Sequence, residues 1–208
     1  MKLHLINIET AAEQQELLFD HSRARAEIFA GWPDVNYCGG CEADVFDQIF
    51  FKPTWASVVH EGRTIAVGRM IPADGPFTMV EEVWPHGIET PLPDKSRSVE
   101  LHRIGKCEDL PPQIATLAVL KIQFGFMQAM QACGRPHMFF LTPKRVAETT
   151  LIGATRHGPA IQVDGAPFFV VSATLEEDAL TFMAETIAEM EQSVIGAKSA
   201  VLTDEVGI

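Results

Sequence analysis

The chain has 208 residues, 47% of them apolar, and a formal net charge of −12 from 16 basic and 28 acidic side chains. This size and apolar content suffice for one large core, so we expect a single domain over residues 1–194. The negative charge argues against nucleic acid as a partner. No apolar run approaches the roughly 18 residues of a membrane helix, and the N-terminus lacks a signal peptide's apolar block, so we expect a cytoplasmic protein without membrane contacts.

The four cysteines bear on metal and redox chemistry. Cys38 and Cys41 flank two glycines, and such a CxxC pair can bind zinc or act as a redox couple. A structural zinc needs four ligands, and neither Cys107 nor Cys133 belongs to a second pair. We therefore interpret all four as reduced thiols and expect no metal, with zinc or redox chemistry as the weaker alternative.

The first half of the chain predicts a sheet with one helix. Residues 3–8 are apolar enough for a strand, and Thr10 offers an N-cap for a helix that ends near Gly31. Apolar, β-branched runs at 55–60 and 64–71 are separated by a short turn, which is typical of an antiparallel hairpin. The connection 72–98 is rich in Pro and Gly and holds at most one short strand or helix.

The second half predicts further strands around a central helix. Pro111 and Pro112 introduce a helix that is apolar nearly all round, as a buried helix is. Thr142 and Pro143 start another short helix, and the segment from Ile195 lacks periodicity, so we expect a flexible tail over 195–208. The remaining predicted elements are strands 99–104, 137–141, 156–163 and 167–175 and helices 114–132 and 176–190.

This order of elements indicates an α/β protein, a three-layer α/β/α sandwich with a mixed central sheet. Strands and helices do not alternate strictly. The chain also lacks the glycine-rich dinucleotide fingerprint and the P-loop. Nicotinamide and nucleoside triphosphate chemistry are therefore not expected, and we predict no tightly bound cofactor.

Acids and arginines recur in three predicted elements: Asp44 and Asp47, then Arg69, then Glu100 and Arg103. Side chains two apart on a strand share a face, whereas Glu100 and Arg103 are three apart. Both can join Arg69 at one site only if a bulge shifts the phase of their strand. With that bulge, the residues form a binding site for a zwitterionic small molecule.

The order of elements resembles the GNAT acyltransferase fold. A strand ends in Arg103-Ile104-Gly105-Lys106 and leads into a helix behind two prolines. In that fold the amides beyond this strand face the pantetheine and pyrophosphate of an acyl donor. Exposed amides at a helix N-terminus carry partial positive charge, which suits an anion.

Four motifs occur in order along the chain. They are Arg25-x-x-x-Phe29, Glu42-x-Asp44-x-Phe46-Asp47, Arg69 at the end of the hairpin, and Glu100-x-x-Arg103. On these motifs the chain resembles the acyl-homoserine lactone synthases of the LuxI type, a family within that fold, over roughly residues 17–175. Taken singly, each motif also fits an ordinary surface charge or a turn. Their joint occurrence favours the family.

The resemblance implies a two-step reaction that makes a quorum-sensing signal. The amine of S-adenosylmethionine takes an acyl group from a thioester of acyl carrier protein or coenzyme A. The carboxylate then closes onto the γ-carbon, which expels methylthioadenosine and leaves an acyl-homoserine lactone. The carrier is left open, although a basic patch of Lys121, Lys144 and Arg145 can dock an acidic carrier protein.

The resemblance also implies roles for individual residues. Glu100 is the candidate base for the amine, directly or through water, with Arg103 and Asp47 in the same catalytic set. The acyl donor is expected against Ile104, Gly105, Met138 and Phe139, with an oxyanion held by amides near Ile104 and Gly105. The residues expected to bind S-adenosylmethionine are Arg25, Phe29, Trp32, Asp44, Asp47, Arg69, Trp84 and Arg103.

The chain departs from the family pattern in three places. Trp32 follows Phe29 more closely than the family's tryptophan does. His102 stands where the family often has serine, and its imidazole can alter the pH dependence. Met138 and Phe139 are bulky where some members have a threonine linked to 3-oxo acyl chains, which indicates an unsubstituted or unusual acyl group.

Two other functions fit the same residues. One is a GNAT enzyme that acylates a different amine and releases no methylthioadenosine. The other is a non-catalytic relative that binds S-adenosylmethionine or an acyl thioester as a sensor, and ligand would then stabilise it without turnover.

Overall fold

The computed structural model describes residues 1–30, 43–83, 85–143, 154–163 and 165–205. The strands are β1 Lys2–Asn7, β2 Thr54–His60, β3 Arg63–Pro72, β4 Ser98–Lys106, β5 His137–Pro143, β6 Thr155–Arg156, β7 Ile161–Val163 and β8 Ala166–Thr174. The helices are α1 Gln15–Ile28, α2 Met79–Val83, α3 Pro112–Ala132 and α4 Ala179–Glu205. Short 3-10 helices span Val45–Asp47, Ile49–Phe51, Pro85–Gly87 and Lys95–Arg97.

The eight strands form one mixed sheet. Its order is β1-β2-β3-β4-β5-β8-β6, and β7 also pairs with β8. The β4–β5 pair is parallel, and the other pairs are antiparallel. The predicted mixed sheet is therefore confirmed.

Neighbouring residues on β3 show that helices cover both faces of the sheet. Val67 packs with Ala24 of α1 and with Phe29. A Cβ at Gly68 would lie 2.9 Å from Ile122 of α3. Because successive strand residues point to opposite faces, α1 and α3 lie on opposite sides of the sheet, as the predicted three-layer sandwich requires.

The hairpin of β2 and β3 closes as predicted. Glu61 and Gly62 have φ values of 51° and 80°, and His60 pairs with Arg63 on either side of them. Two central residues with positive φ are typical of a type I′ turn, whose twist matches that of the strands.

The start of α1 differs from the prediction. The helix begins at Gln15, whereas Thr10 lies in a turn beside β1. The Thr10 amide donates to Asn7 Oδ1 at 3.0 Å, and the Asn7 amide donates to Thr10 Oγ1 at 3.1 Å. Thr10 therefore closes the turn after β1 and does not cap the helix, because Ser and Thr hydroxyls stabilise turns as readily as helix ends.

The C-terminal elements also differ in extent. Thr142 and Pro143 are the last residues of β5, and the short helix predicted after them falls at 144–153, outside the described residues. The strand predicted over 156–163 is divided into β6 and β7. Helix α4 continues to Glu205, so the flexible tail predicted from Ile195 is helical over 195–205. Ala, Lys and Leu there favour a helix, and no proline interrupts it. The single domain stays a prediction.

Strand β4 contains the bulge on which the predicted site depends. Val67 pairs with Gly105 and Arg69 pairs with His102, so Gly68 alone stands opposite two residues of β4, Arg103 and Ile104. Arg103 has a φ of 52°, in the left-handed region. The extra residue puts His102 and Arg103 on the same face of the sheet.

None of the helices in the described part of the chain combines the length and the apolar character needed to cross a bilayer.

A buried histidine joins α1 to β2. His21 Nδ1 lies 2.9 Å from the hydroxyl oxygen of Ser57, and both side chains are buried. Burial, assisted by the positive charge of Arg25 one turn further along α1, lowers the pKa of His21 to about 3. The imidazole is therefore neutral in the folded protein at neutral pH.

This lowered pKa predicts a loss of stability in mild acid. Between pH 6.5 and pH 3 the unfolded chain binds a proton at His21 that the folded chain does not, so the free energy of unfolding falls as the pH falls. From pH 7 to pH 5 we expect a loss of about 2 kcal/mol from this group. Urea unfolding of the wild type and of His21→Asn measures it. The asparagine variant should lack this contribution, and parallel pH profiles would contradict the assignment.

The close approach of α3 to β3 predicts the effect of a single methyl group. The Cβ of Gly68→Ala would lie 2.9 Å from both Ile122 and Phe126, closer than packed carbon atoms come. We expect Gly68→Ala to lower the free energy of unfolding by about 1–3 kcal/mol in urea titrations.

The matched control is Gly75→Ala. Its Cβ would meet the Phe51 ring at 3.5 Å, which is an ordinary contact. We expect a change within about 0.5 kcal/mol. Equal stability of the two variants would show that α3 is not held this close to the sheet.

Candidate active site

Asp47 is the most heavily bonded residue of the site. Its carboxylate accepts two hydrogen bonds from Arg25, at 3.0 and 2.6 Å, and one from Trp55 Nε1 at 2.8 Å. The Asp44 amide donates at 2.8 Å, and Arg69 Nη1 lies 2.9 Å away. Burial by itself raises the pKa of Asp47, but the Arg25 hydrogen bonds and the charges of Arg69 and Arg25 hold it well below its usual range.

These contacts use the acceptor positions of Asp47 within the protein. A carboxylate has about four lone-pair positions, and protein donors take all of those on Asp47. In the structure these donors join Asp47 to α1, β2 and β3. The predicted part of Asp47 in substrate binding and catalysis stays a prediction.

The two carboxylate oxygens of Asp44 differ in their hydrogen bonds. It caps the 3-10 helix Val45–Asp47, where its Oδ1 accepts the Phe46 amide at 2.9 Å and also a hydrogen bond from Arg69. Its Oδ2 is buried and accepts no hydrogen bond from the described residues, with Arg103 Nε 3.8 Å away. A buried carboxylate oxygen in this state suits a donor from a bound ligand.

Arg69 is fully buried between its partners. Nη1 contacts Asp44 and Asp47, and Nη2 lies 2.9 Å from His102 Nδ1. Burial lowers the pKa of a guanidinium, but the two aspartates outweigh it and raise the pKa of Arg69. Both Nη atoms are therefore engaged within the protein, which makes Arg69 the weaker candidate for a ligand's carboxylate.

Arg103 is the better candidate for that carboxylate. The bulge turns its side chain toward the face of Glu100 and His102, and its guanidinium lies 5.7 Å from the centre of the Phe29 ring. The Arg103 side chain is 3% exposed, whereas that of Arg69 is wholly enclosed. Phe29 thus supports the arginine by a cation–π contact and is itself almost completely buried.

Glu100 is completely buried and held by backbone amides of α2. Its Oε2 accepts from the Met79 amide at 2.9 Å and its Oε1 from the Val80 amide at 2.8 Å. His102 Nε2 lies 2.7 Å from Oε2, although its N–H is not aimed along that line. Sequence reasoning missed this link to α2. A usable signal was the capping pattern Thr78-x-x-Glu81, in which the Thr78 hydroxyl donates to Glu81 at 2.8 Å.

The structure therefore brings most of the predicted polar residues together. Those in one connected group are Arg25, Asp44, Asp47, Arg69, Glu100 and Arg103. Trp32, Glu42 and Trp84 lie outside the described residues, as do Cys38 and Cys41. Trp55 belongs to the group through Asp47, and nothing in the local sequence pattern marked it.

The residues predicted for the acyl donor are divided between two faces of the sheet. Ile104 and Met138 pack in the core cluster that contains α3 residues. Phe139 is buried in the cluster of Phe46 and Ile71, and a Cβ at Gly105 would meet Phe29. Because neighbours on a strand point to opposite faces, Met138 and Phe139 do not form one wall.

The backbone of β4 offers a different surface to a ligand. This strand pairs with β5 only through Ser98, Val99 and Glu100. From Leu101 to Lys106, no described strand pairs with the edge of β4 on the β5 side. Amides and carbonyls on such an edge are open to hydrogen bonds from an extended ligand.

Comparison with known proteins gives one sequence match. No protein-family model matches the chain. A "Probable acyl-homoserine-lactone synthase" of Sinorhizobium fredii (strain NBRC 101917 / NGR234) is 38% identical over 89 residues. The match covers 41% of this chain and 41% of that relative, so it spans less than half the length of either protein.

Solved structures match over more of the chain. The CoA-dependent acyl-homoserine lactone synthase BjaI, with SAM and isopentyl-CoA, is 18% identical with a TM-score of 0.74, over 89% of both chains. The AHL synthase LasI is 15% identical with a TM-score of 0.70, over 86% of this chain and 93% of its own.

An acyl-CoA N-acyltransferase from Pseudomonas aeruginosa has a TM-score of 0.56 at 12% identity, over 83% of this chain and all of its own. In sequence over 89 residues and in fold over most of its length, the chain resembles the acyl-homoserine lactone synthases, on a scaffold of the GNAT acyltransferase type.

Proposed function

We propose that this chain is an N-acyl-homoserine lactone synthase that uses S-adenosylmethionine and an acyl thioester to make a quorum-sensing signal. The observation that carries the proposal is the buried group of Asp44, Arg69, Glu100 and Arg103, which the β4 bulge assembles on one face of the sheet. Two acids and two arginines in one place suit a substrate with both an ammonium and a carboxylate.

S-adenosylmethionine fits the polarity of this group. Asp44 Oδ2, which accepts no hydrogen bond within the described residues, receives the ammonium. Arg103 pairs the carboxylate, and Arg69 holds Asp44 in place. Asp47, paired with Arg25, holds the Asp44 amide and Arg69 in place and does not contact the substrate.

The first step is acyl transfer. The free amine of S-adenosylmethionine attacks the thioester carbonyl, an N–C bond forms, the C–S bond breaks, and the thiol leaves with one proton. The α-amino group has an ordinary pKa of about 7.7–8, so a mild base suffices to free its lone pair. Glu100 is that base, and because it is fully buried, a water carries the proton to it.

The second step closes the lactone. A carboxylate oxygen attacks the γ-carbon, the bond from that carbon to the sulfonium sulfur breaks, and neutral methylthioadenosine leaves with the electron pair. The positive charge of the sulfonium is lost in this step. No oxidant, reductant or metal is required.

The open edge of β4 is the proposed place for the acyl donor. Its amides near Ile104 and Gly105 can bind the oxyanion of the tetrahedral intermediate. The donor is an acyl group on acyl carrier protein or on coenzyme A. BjaI is a CoA-dependent synthase. Lys144 and Arg145 of the predicted carrier-protein patch fall outside the described residues. Both substrates are made inside cells, so we place the enzyme in the cytoplasm.

The test is mass spectrometry of the purified protein incubated with S-adenosylmethionine and a panel of acyl-CoA and acyl carrier protein thioesters. Acyl-homoserine lactone together with methylthioadenosine is the expected result. An acylated amine without methylthioadenosine would indicate a GNAT enzyme for another amine. Ligand binding without any product would indicate a sensor.

The position of Asp44 predicts a defect in substrate binding. Asp44→Asn removes the negative charge that faces the ammonium, and we expect the Kd for S-adenosylmethionine, measured by isothermal titration, to rise about tenfold or more. Asp109→Asn is the matched control, since among the described residues this exposed carboxylate forms its ion pair with Arg63 at the surface. The control should bind as the wild type does. Unchanged affinity of Asp44→Asn would remove Asp44 from the substrate site.

The role of Glu100 predicts a defect in turnover. Glu100→Gln keeps an acceptor oxygen for one of the two α2 amides, at nearly the same volume, but cannot accept a proton from the amine. We expect kcat to fall about 10²-fold or more while the Kd for S-adenosylmethionine stays within threefold. Product formation measured under saturating substrate checks this. Wild-type turnover would show that another group, or solvent, takes the proton.

A further inference from the structure

His102 occupies a central position between two charged residues of the site. It lies on β4, two residues after Glu100 and on the same face, and its side chain is fully enclosed. Nδ1 is 2.9 Å from Arg69 Nη2, and Nε2 is 2.7 Å from Glu100 Oε2. The Phe46 ring packs edge-on at 4.9 Å and fixes the plane of the imidazole.

The partners of His102 determine which ring nitrogen holds the proton. A guanidinium can only donate hydrogen bonds, so Nδ1 must present its lone pair to Arg69. Nε2 lies 2.7 Å from Glu100 Oε2 without an aligned hydrogen bond, and because a carboxylate can only accept, the ring proton belongs on Nε2 and not on Nδ1. The tautomer protonated at Nε2 is the one that fits both neighbours.

His102 thereby connects two parts of the site that lie on different elements. Arg69 on β3 holds Asp44, whereas Glu100 is fixed from its other side by the amides of α2. The His102 side chain contacts both Arg69 and Glu100.

We propose that His102 is a positioning residue that fixes the Glu100 carboxylate relative to the Arg69–Asp44 pair. The base is then held at a set distance from the substrate amine that Asp44 binds. This inference rests on the proposed synthase function. It assigns no proton transfer to His102 itself.

Two substitutions separate positioning from mere packing. His102→Gln keeps an amide oxygen for Arg69 and an N–H for Glu100, about as far apart as the two ring nitrogens. His102→Leu removes both contacts at similar volume. We expect His102→Gln to keep kcat within threefold of the wild type, and His102→Leu to lower kcat at least tenfold with KM for S-adenosylmethionine within threefold.

His157→Leu is the matched control. His157 is equally buried, with Nε2 2.7 Å from the Ser172 hydroxyl and Nδ1 3.2 Å from that of Thr90, at the β6–β8 end of the sheet. The His157→Leu variant also loses both contacts of its ring nitrogens, but these contacts lie away from the site. Its free energy of unfolding should therefore fall while its kcat stays at the wild-type value. Three outcomes would overturn the proposal. The first is an equal loss of kcat in His102→Leu and His157→Leu, the second is an equal loss in His102→Gln and His102→Leu, and the third is an unchanged kcat in His102→Leu.

A spectroscopic measurement keeps the test independent of folding of the leucine variant. Two-bond ¹H–¹⁵N correlation spectra of the wild type report the tautomer of each histidine, and the signals absent from His102→Gln belong to His102. We expect an unprotonated Nδ1 and a protonated Nε2. A protonated Nδ1 would overturn the proposal. If the wild type itself makes no acyl-homoserine lactone, the proposed function fails, whereas wild-type turnover that is insensitive to His102 defeats this inference alone.

Discussion

The ion pair between the partly buried Asp47 carboxylate and the buried Arg25 is the interaction on which the rest of the site depends. An isolated charge in a protein interior is very costly, and an ion pair there is tolerated only when its remaining hydrogen-bonding positions are filled. Asp47 meets this condition with Arg25, Trp55, Arg69 and the Asp44 amide. Removing one partner from such a group typically costs about 3–5 kcal/mol, because the others are left uncompensated.

This constraint divides the polar residues into two groups by their contacts. Arg25 and Trp55 bind Asp47 and so connect α1 and β2 to the 3-10 helix Val45–Asp47. Arg69 joins this group to Asp44, and His102 contacts both Arg69 and Glu100. Under the proposed function, Asp44, Glu100 and Arg103 meet the substrate and the first group holds them in place. A carboxylate that looks catalytic in a motif can thus be engaged wholly by protein donors, as Asp47 is.

Much of the fold could be predicted because local patterns specify it. The β2–β3 hairpin follows from β-branched runs around Glu61 and Gly62, and the buried α3 follows from its apolar surface. The end of α4 could not be predicted, because helix propensity without apolar periodicity does not fix where a helix stops. The turn at Thr10 could not be predicted either, because a hydroxyl can close a turn as well as cap a helix.

The site was partly predictable for a related reason. The sequence places Glu100 and Arg103 three residues apart on one strand, so their side chains share a face only if the strand contains a bulge. The structure contains that bulge at Arg103. The partnership of Trp55 with Asp47 and that of the α2 amides with Glu100 depend on how distant segments pack. No short pattern encodes such contacts. His102 was visible as a departure from the family pattern, but its two partners were not.

The bulge also determines which kinds of genetic change the protein can survive. Replacing a side chain in β4 leaves the phase of the strand intact, and its effects stay local. Deleting or inserting one codon between those for Leu101 and Gly105 would rotate every residue on one side of the change to the opposite face, as happens in any half-buried strand. Arg103 would then point toward α3, or Glu100 away from α2. Related chains should therefore vary in this segment by substitution and keep its length constant.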